Sequence, residues 1–172
     1  MSKIELCVRA AEPHDIPALM RLKRLLAEHE NAAHAVCASA ADWLRDGFGP
    51  TAGFTAFVAQ NLADDTIMGM ATCSQRLVTG WNGPVVFLQD LFVETPFRGN
   101  GVARALMAQV AAFARAIGSP IVELTVRADN PARHLYQQAG FAHLPHCLTY
   151  VLAGSALDAL AGADDTNLAL AG

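Results

Sequence analysis

The chain has 172 residues, of which 53% are apolar and 16% are charged, with a mean hydropathy of +0.28. A membrane-spanning helix needs about 20 mostly apolar residues in a row. The longest charge-free runs, 47–63 and 134–157, are interrupted by Gly, Pro, Gln and Asn, so we expect no membrane span and place the apolar surplus in a core or a groove. A net charge of −4, with no basic cluster beyond Arg21, Lys23 and Arg24, weighs against a nucleic-acid partner.

The length predicts a single domain, 1–154, followed by a tail, 155–172, that is rich in Ala, Gly and Asp and at most weakly helical. The first residues lack the apolar segment of a signal peptide, and the four cysteines form no Cys-x-x-Cys pair. We therefore expect a cytoplasmic protein whose cysteines are reduced and buried. His143 and His146 are a poor metal pair, because Pro145 lies between them and no further ligand is near in sequence.

The periodicity of apolar residues predicts the elements in chain order. Alternating residues over 4–8 predict a first strand, and Asp15 is expected to cap a helix that ends near His29. A short helix over 38–46 follows, and β-favouring runs at 54–59, 67–73 and 85–93 predict an antiparallel meander.

Helical spacing resumes after Pro96 and predicts a helix with Val102, Leu106 and Val110 on its buried face, ending at Gly118. A strand at 121–126, a short helix at 131–139 and one or two strands at 141–152 complete the chain. This order indicates an α+β fold around one mixed sheet, in which the strands at 85–93 and 121–126 run parallel.

The strand at 88–93 runs through a Gly-rich turn into an amphipathic helix, which is typical of an anion site. Gly99 and Gly101 allow phosphate oxygens to approach the backbone at the positive end of the helix, and Arg98 adds a charge. The turn lacks the Gly-Lys-Ser/Thr of a triphosphate loop, and Arg104 stands where a dinucleotide fingerprint has Gly or Ala. A pyrophosphate-bearing ligand is favoured, although the two glycines could also serve only to shape the turn.

Two motifs resemble a known family. Arg98-x-x-Gly101-x-Ala103 is similar to the pyrophosphate motif of the GNAT superfamily of acyl-CoA-dependent N-acetyltransferases. Asn130-Pro131-Ala132, with Leu135-Tyr136 and Gly140-Phe141, is similar to its closing signature, and residues 87–93 look most like the diamine acetyltransferase branch. The resemblance implies the acyl-CoA N-acyltransferase fold, three αβα layers whose mostly antiparallel sheet has a parallel pair splayed at a bulge.

The resemblance also implies roles for particular residues. Leu91, Phe92 and Val93 match the strand that pairs with the pantetheine arm of acetyl-CoA, and Asn130 matches a residue that hydrogen-bonds this arm. Tyr136 matches a phenol near the thioester sulfur, and a phenol with a pKa of about 10 is a suitable general acid for a leaving thiolate. Its ring could instead serve only in packing. The pyrophosphate cradle corresponds to Arg98, Gly99, Asn100, Gly101, Val102 and Ala103.

Two departures from the family pattern qualify these roles. Gln89 stands where diamine acetyltransferases place a glutamate that is thought to deprotonate the amine, and Gln cannot act as a base. Asp90 points to the other face of the strand and is no obvious substitute. The interval from Asn130 to Tyr136 is one residue shorter than usual, so either the loop is tighter or Asp129 partly replaces the family's Asn.

The sequence therefore predicts an N-acetyltransferase in which a small-molecule primary amine attacks acetyl-CoA directly, with a backbone N–H such as that of Val93 stabilising the oxyanion. No metal and no covalent enzyme intermediate are expected. The alternative, motivated by Gln89, is a non-catalytic acyl-CoA-binding or sensing module. By resemblance a homodimer is expected, and the acceptor pocket is built from 28–39 and 144–150, where His29, Glu30 and His34 either line it or form a solvated helix end.

Overall fold

The computed structural model describes residues 4–32, 37–80 and 83–162, so that His34 lies outside the described residues. The chain divides into two units, Met1–Leu135 and Tyr136–Gly172. Within the described ranges, no helix has the length and apolar character needed to cross a membrane.

A five-stranded mixed sheet forms the centre of the first unit, with the strands in the order β1-β2-β3-β4-β5. Neighbouring strands are antiparallel from β1 to β4, whereas β4 and β5 are parallel. The predicted meander and parallel pair are thus confirmed. The strands are β1 (Leu6–Ala10), β2 (Thr55–Asn61), β3 (Thr66–Leu77), β4 (Pro84–Val93) and β5 (Val122–Glu123).

Helices α1 (Ile16–His29) and α2 (Ala40–Phe48) cover one face of this sheet. Leu19 and Leu22 of α1 are fully buried, because their spacing directs both side chains at the sheet. They belong to one apolar cluster with side chains from α2 and the strands, including Trp43, Ala56, Val58, Met70 and Phe92.

Helix α3 (Val102–Ala116) covers the other face. Phe57 lies between Ala56 and Val58 in β2, and side chains alternate between the faces of a strand. Its ring meets that of Phe113 in α3 edge-on, with the centroids 5.8 Å apart. Leu106 is fully buried on the same helix, as its spacing predicts. Helices on both faces give the three layers of the predicted fold.

The buried carboxylate of Asp15 joins β1 to the start of α1. It accepts hydrogen bonds from Nη1 and Nη2 of Arg9, at 2.6 and 2.9 Å, and from the backbone N–H of Glu12 at 2.8 Å. Burial alone would raise the pKa of this carboxyl, but these bonds outweigh it and the pKa is lowered. Asp15 is at the N-cap position of α1 as predicted, but its side chain makes no capping bond, because its oxygens are bound by Arg9 of β1 and the N–H of Glu12.

The C-terminal third differs most from the prediction. β5 is two residues long instead of the predicted 121–126, and residues 141–152, all of which the structure describes, form no strand. The prediction of final strands is therefore wrong: alternating apolar residues supply strand propensity, but a strand also needs an edge to pair with. Two short helices are present, α4 (Arg133–Gln138) and α5 (Ser155–Ala161), the second within the predicted tail.

Candidate active site

A bulge interrupts β4 at Gln89. Asp90 pairs with Thr72 of β3, but the next residue of β3, Cys73, pairs with Leu88. Gln89 is therefore an extra residue with no partner of its own in this ladder, and its side chain is exposed. Such a bulge bends a strand and changes the direction in which its backbone groups point.

The parallel pair separates just before the bulge. Val86 pairs with Val122 and Phe87 pairs with Glu123, and Phe87 is the last residue of β4 that pairs with β5. From residue 88 onward, the β5-facing edge of β4 has no ladder partner among the described residues, so a ligand can bind the backbone groups on this edge. The splayed parallel pair that the family resemblance implies is present.

The open backbone groups are the N–H and carbonyl of Leu91 and the N–H of Val93, whose own carbonyl accepts from Arg98. The N–H of Glu94 donates to the carbonyl of Met68 in β3 at 3.0 Å. Because successive residues of an antiparallel strand point their N–H and C=O groups in opposite directions, Phe92 also faces β3 while Leu91 and Val93 face the separated edge. An extended arm lying beside β4 can therefore hydrogen-bond to these two residues.

The turn between β4 and α3 requires glycine at two positions. Gly99 and Gly101 have φ values of +78° and +77°, in the left-handed region, and a Cβ at either position would have no described atom within 4 Å beyond its two chain neighbours. The side-chain amide of Asn100 donates to the carbonyls of Phe97 and Arg98, at 3.2 and 3.0 Å. The turn is thus held by its own amide and is open above both glycines.

Helix α3 begins at Val102 directly after this turn. Gly101 precedes it without a side-chain cap, and the first turn of the helix contains no acidic residue. Its first N–H groups lack partners within the helix and lie at the positive end of the helix dipole. Val102 is buried and anchors the helix start, while the half-buried Ala103 adds little bulk. These features suit a phosphate or pyrophosphate.

Arg98 connects the turn to the end of β4. Its Nε donates to the carbonyl of Val93 at 2.9 Å, and its guanidinium carbon lies 5.6 Å from the centroid of the Phe92 ring. The side chain is exposed, so the guanidinium supplies a positive charge held in position beside the start of α3.

Two carboxylates, Asp90 of β4 and Glu94 just after it, are each paired with a cation from α1. Asp90 accepts hydrogen bonds from Nζ of Lys23 at 2.6 Å and from Oγ1 of Thr72 at 2.8 Å. Glu94 is in an ion pair with Arg21. The carboxylate of Asp90, next to the bulge, is therefore already bound by Lys23 and Thr72 and points toward α1.

Asn130 lies in the turn before α4, where its Oδ1 accepts the backbone N–H of Ala132 at 2.8 Å. Asp129 instead pairs with Arg127, whose Nε and Nη2 lie 3.0 and 2.8 Å from its oxygens, and the pKa of Asp129 is lowered mainly by this contact. An acceptor-only carboxylate engaged by Arg127 is a poor match for an amide, which favours Asn130 over Asp129 for the family position.

Tyr136 belongs to the second unit. It lies in α4, where its ring is edge-on to that of Phe141 with the centroids 5.8 Å apart, and its carbonyl accepts the N–H of Phe141 at 3.0 Å. The aromatic contact fixes the ring and is compatible with either role considered for this residue, packing or proton transfer.

The cysteines differ in their surroundings. Cys73 is fully buried, and burial raises the pKa of its thiol to about 11, which disfavours the reactive thiolate. Cys37 and Cys147 are exposed and Cys7 is half-buried, so the prediction that all four are buried is confirmed for Cys73 and wrong for the other three. Among the described residues, no group of three or more His, Cys, Asp or Glu side chains is placed to bind a metal ion.

Lys23 is the residue of this site that the sequence did not single out. A signal was available in its spacing, because Lys23 follows the buried Leu19 by four residues and Leu22 by one. Residues four apart share a helix face, so a lysine here points at the sheet and needs a partner there.

Comparisons with known proteins agree with this geometry. The sequence profile of the acetyltransferase (GNAT) family matches residues 19–141. Thialysine N-epsilon-acetyltransferase of Bos taurus is 30% identical over 166 residues, which cover 90% of this chain and 96% of the relative. Spermidine/spermine N(1)-acetyltransferase-like protein 1 of Homo sapiens is 31% identical over 111 residues, covering 62% of this chain and 16% of the relative.

Solved structures share the fold. An aminoglycoside N-acetyltransferase in complex with CoA superposes with a TM-score of 0.69 at 24% identity, covering 87% of this chain and 96% of that chain. An aminoglycoside acetyltransferase from an uncultured soil metagenomic sample, in complex with sisomicin, superposes with a TM-score of 0.73 at 17% identity, covering 86% and 95%.

Proposed function

Because the chain belongs to the acetyltransferase (GNAT) family and is an N-acetyltransferase, we propose that it transfers the acetyl group of acetyl-CoA to a primary amine of a small molecule. The nitrogen of the neutral amine attacks the thioester carbonyl and the carbon–sulfur bond breaks. The departing sulfur takes up a proton, so that CoA leaves as the free thiol. No covalent intermediate on the protein is needed.

One observation carries the proposal: the separated edge of β4 leads directly into the glycine turn and the start of α3. The edge offers the N–H and carbonyl of Leu91 and the N–H of Val93 to an extended arm. The turn offers unpaired N–H groups and the charge of Arg98 to a pyrophosphate. Acetyl-CoA has both parts in this order, joined to a thioester at the far end of the arm.

We assign the pyrophosphate cradle to Arg98, Gly99, Asn100, Gly101, Val102 and Ala103. Leu91, Phe92 and Val93 form the strand beside the arm, and the amide of Asn130 donates to it. Open space above Gly99 and Gly101 supports the cradle, because a pyrophosphate must approach that backbone closely. The N–H of Val93 is proposed to stabilise the oxyanion, since it points to the separated edge.

Tyr136 is proposed as the general acid that protonates the departing thiolate. A phenol has a pKa of about 10, a little above that of a thiol, so the transfer of its proton to the thiolate costs little free energy. The acceptor amine must reach the site neutral, because Gln89 cannot remove its proton and Asp90 is engaged by Lys23. Water carries the proton released by the attacking nitrogen.

Two measurements test the proposal. Isothermal calorimetry with acetyl-CoA should give a dissociation constant in the micromolar range, and no binding up to millimolar acetyl-CoA would refute it. Release of free CoA thiol with a panel of primary amines then separates catalysis from the non-catalytic acyl-CoA-binding alternative, for which acetyl-CoA binds but no amine releases thiol.

The remaining expectations stay predictions. A homodimer is expected from the family resemblance, and sedimentation equilibrium measures it directly. The cytoplasmic location and the division into a domain, 1–154, and a tail, 155–172, rest on the sequence patterns. Truncation after residue 154 tests the division, since a true tail can be removed without loss of acetyl-CoA binding.

A further inference from the structure

The ammonium of Lys23 lies on the carboxylate of Asp90, next to the bulge of β4. Nζ of Lys23 is 2.6 Å from Oδ1, and the Thr72 hydroxyl donates to Oδ2 at 2.8 Å, so both oxygens of Asp90 are bound. The Lys23 side chain is 33% exposed and that of Asp90 only 14%. Solvent therefore reaches the lysine more readily than the carboxylate.

This pair lies beside the reacting end of the proposed site. An arm that leaves the cradle and follows β4 past Val93 and Leu91 moves toward Gln89, because these residues succeed one another along the strand at about 3.3 Å each. Asp90 is the residue between Leu91 and the bulge. An amine that approaches the thioester from the α1 side of the sheet consequently meets Lys23 and Asp90.

The charges on this side of β4 are balanced. Glu94 is paired with Arg21, and Asp90 is paired with Lys23. A second ammonium on the acceptor would have to displace Lys23, which bears the same primary alkylammonium group, or be repelled by it. Placing a like charge against an unwanted ligand is a common basis of specificity.

We propose that Lys23 is a specificity-determining residue: it occupies an ammonium site on Asp90 and so directs the enzyme toward acceptor amines without a second cationic group. The inference rests on the proposed function. With Lys23 on Asp90, a distal ammonium of a diamine finds this carboxylate already occupied.

The test compares two ligands of equal chain length, butylamine and 1,4-diaminobutane, by calorimetric titration of the CoA-saturated protein. Lys23→Met should bind 1,4-diaminobutane about tenfold more tightly than the wild type, because a charged hydrogen-bond site is freed. Butylamine affinity should not change. Arg24→Met, at the exposed neighbouring position, is the control for loss of one positive charge from α1. Lys23→Met/Asp90→Asn should lose the gain.

Equal 1,4-diaminobutane affinities of wild type and Lys23→Met, or a gain that persists in the double variant, would overturn the inference. Should Lys23→Met fail to fold, Lys23→Gln removes the charge while keeping a hydrogen-bond donor for Asp90. The same titrations without CoA separate this inference from the proposed function. Failure to bind acetyl-CoA refutes the proposed function, while the diamine comparison still decides the role of Lys23.

Discussion

Arg98 reaches back across the turn and donates from Nε to the carbonyl of Val93 at 2.9 Å. Val93 is the last residue of β4, and Arg98 lies four residues before the start of α3. A single side chain therefore ties together the two parts of the proposed cofactor site, the strand edge and the phosphate cradle. Arg98 supplies a positive charge to the cradle and a hydrogen bond to the end of β4.

Arg98→Lys should weaken acetyl-CoA binding although the charge is kept. Lysine lacks both the Nε donor that reaches Val93 and the flat guanidinium that lies over Phe92. We expect the dissociation constant to rise roughly tenfold, in line with the loss of a charged hydrogen bond. Arg115→Lys, in the last turn of α3, is the matched control. Equal affinities of wild type and Arg98→Lys would argue against the role of Arg98.

Gly101→Ala and Gly118→Ala form a matched pair at the two ends of α3. Their φ values are +77° and +74°, and neither position has an atom within 4 Å of a new Cβ. Both substitutions should lower the free energy of unfolding by about 1–2 kcal/mol, the cost of a left-handed alanine. Only Gly101→Ala should also weaken acetyl-CoA binding in calorimetry. Similar cofactor affinities in both variants would contradict the assignment of the cradle.

The sequence predicted the parts of this site that depend on local chemistry. The glycine turn, Arg98 and the start of α3 follow from residue types in a short segment, and the structure has them as predicted. The bulge at Gln89 could not be located in this way, because a register shift is a relation between two strands. The pairing of Lys23 with Asp90 could not be predicted either, because the two residues are 67 positions apart in the chain and meet only in the folded structure.

The final strands show the opposite error. The apolar pattern over 141–152 satisfied the local requirements of a strand, yet Leu148 and Tyr150 are largely exposed in a segment without regular structure. Strand propensity measures how well a side chain suits a paired, half-buried surface, and the sequence cannot state whether an edge is present to pair with.

Tyr136→Phe separates the two roles of this residue. If the hydroxyl protonates the leaving thiolate, kcat should fall by about 100-fold, within the usual range for a general acid, while the affinity for acetyl-CoA changes little. The ring contact with Phe141 is preserved in the variant. Unchanged kcat in Tyr136→Phe would show that only the ring matters.

The cysteines should react with a thiol reagent at clearly different rates. Cys37 and Cys147 are exposed, whereas Cys73 is buried with its pKa raised to about 11. In the native protein at neutral pH, Cys73 should react at least 100-fold more slowly than a free thiol, because little thiolate forms and access is blocked. Peptide mapping after timed alkylation measures each site, and a Cys73 labelled as fast as Cys147 would contradict its burial.

Asp15 should make folding stability depend on acid pH. Its pKa in the folded state is lowered by Arg9 and the N–H of Glu12, against the opposing effect of burial. A carboxyl with a lowered folded-state pKa stabilises the fold above the unfolded-state pKa of about 3.9, and this stabilisation is lost as the pH falls through the folded-state pKa.

Asp15→Asn should therefore lower the free energy of unfolding by about 2–3 kcal/mol near neutral pH. In urea titrations the difference from wild type should shrink below about pH 4. A difference between Asp15→Asn and wild type that stays constant down to about pH 2 would contradict a lowered pKa of Asp15 in the folded state.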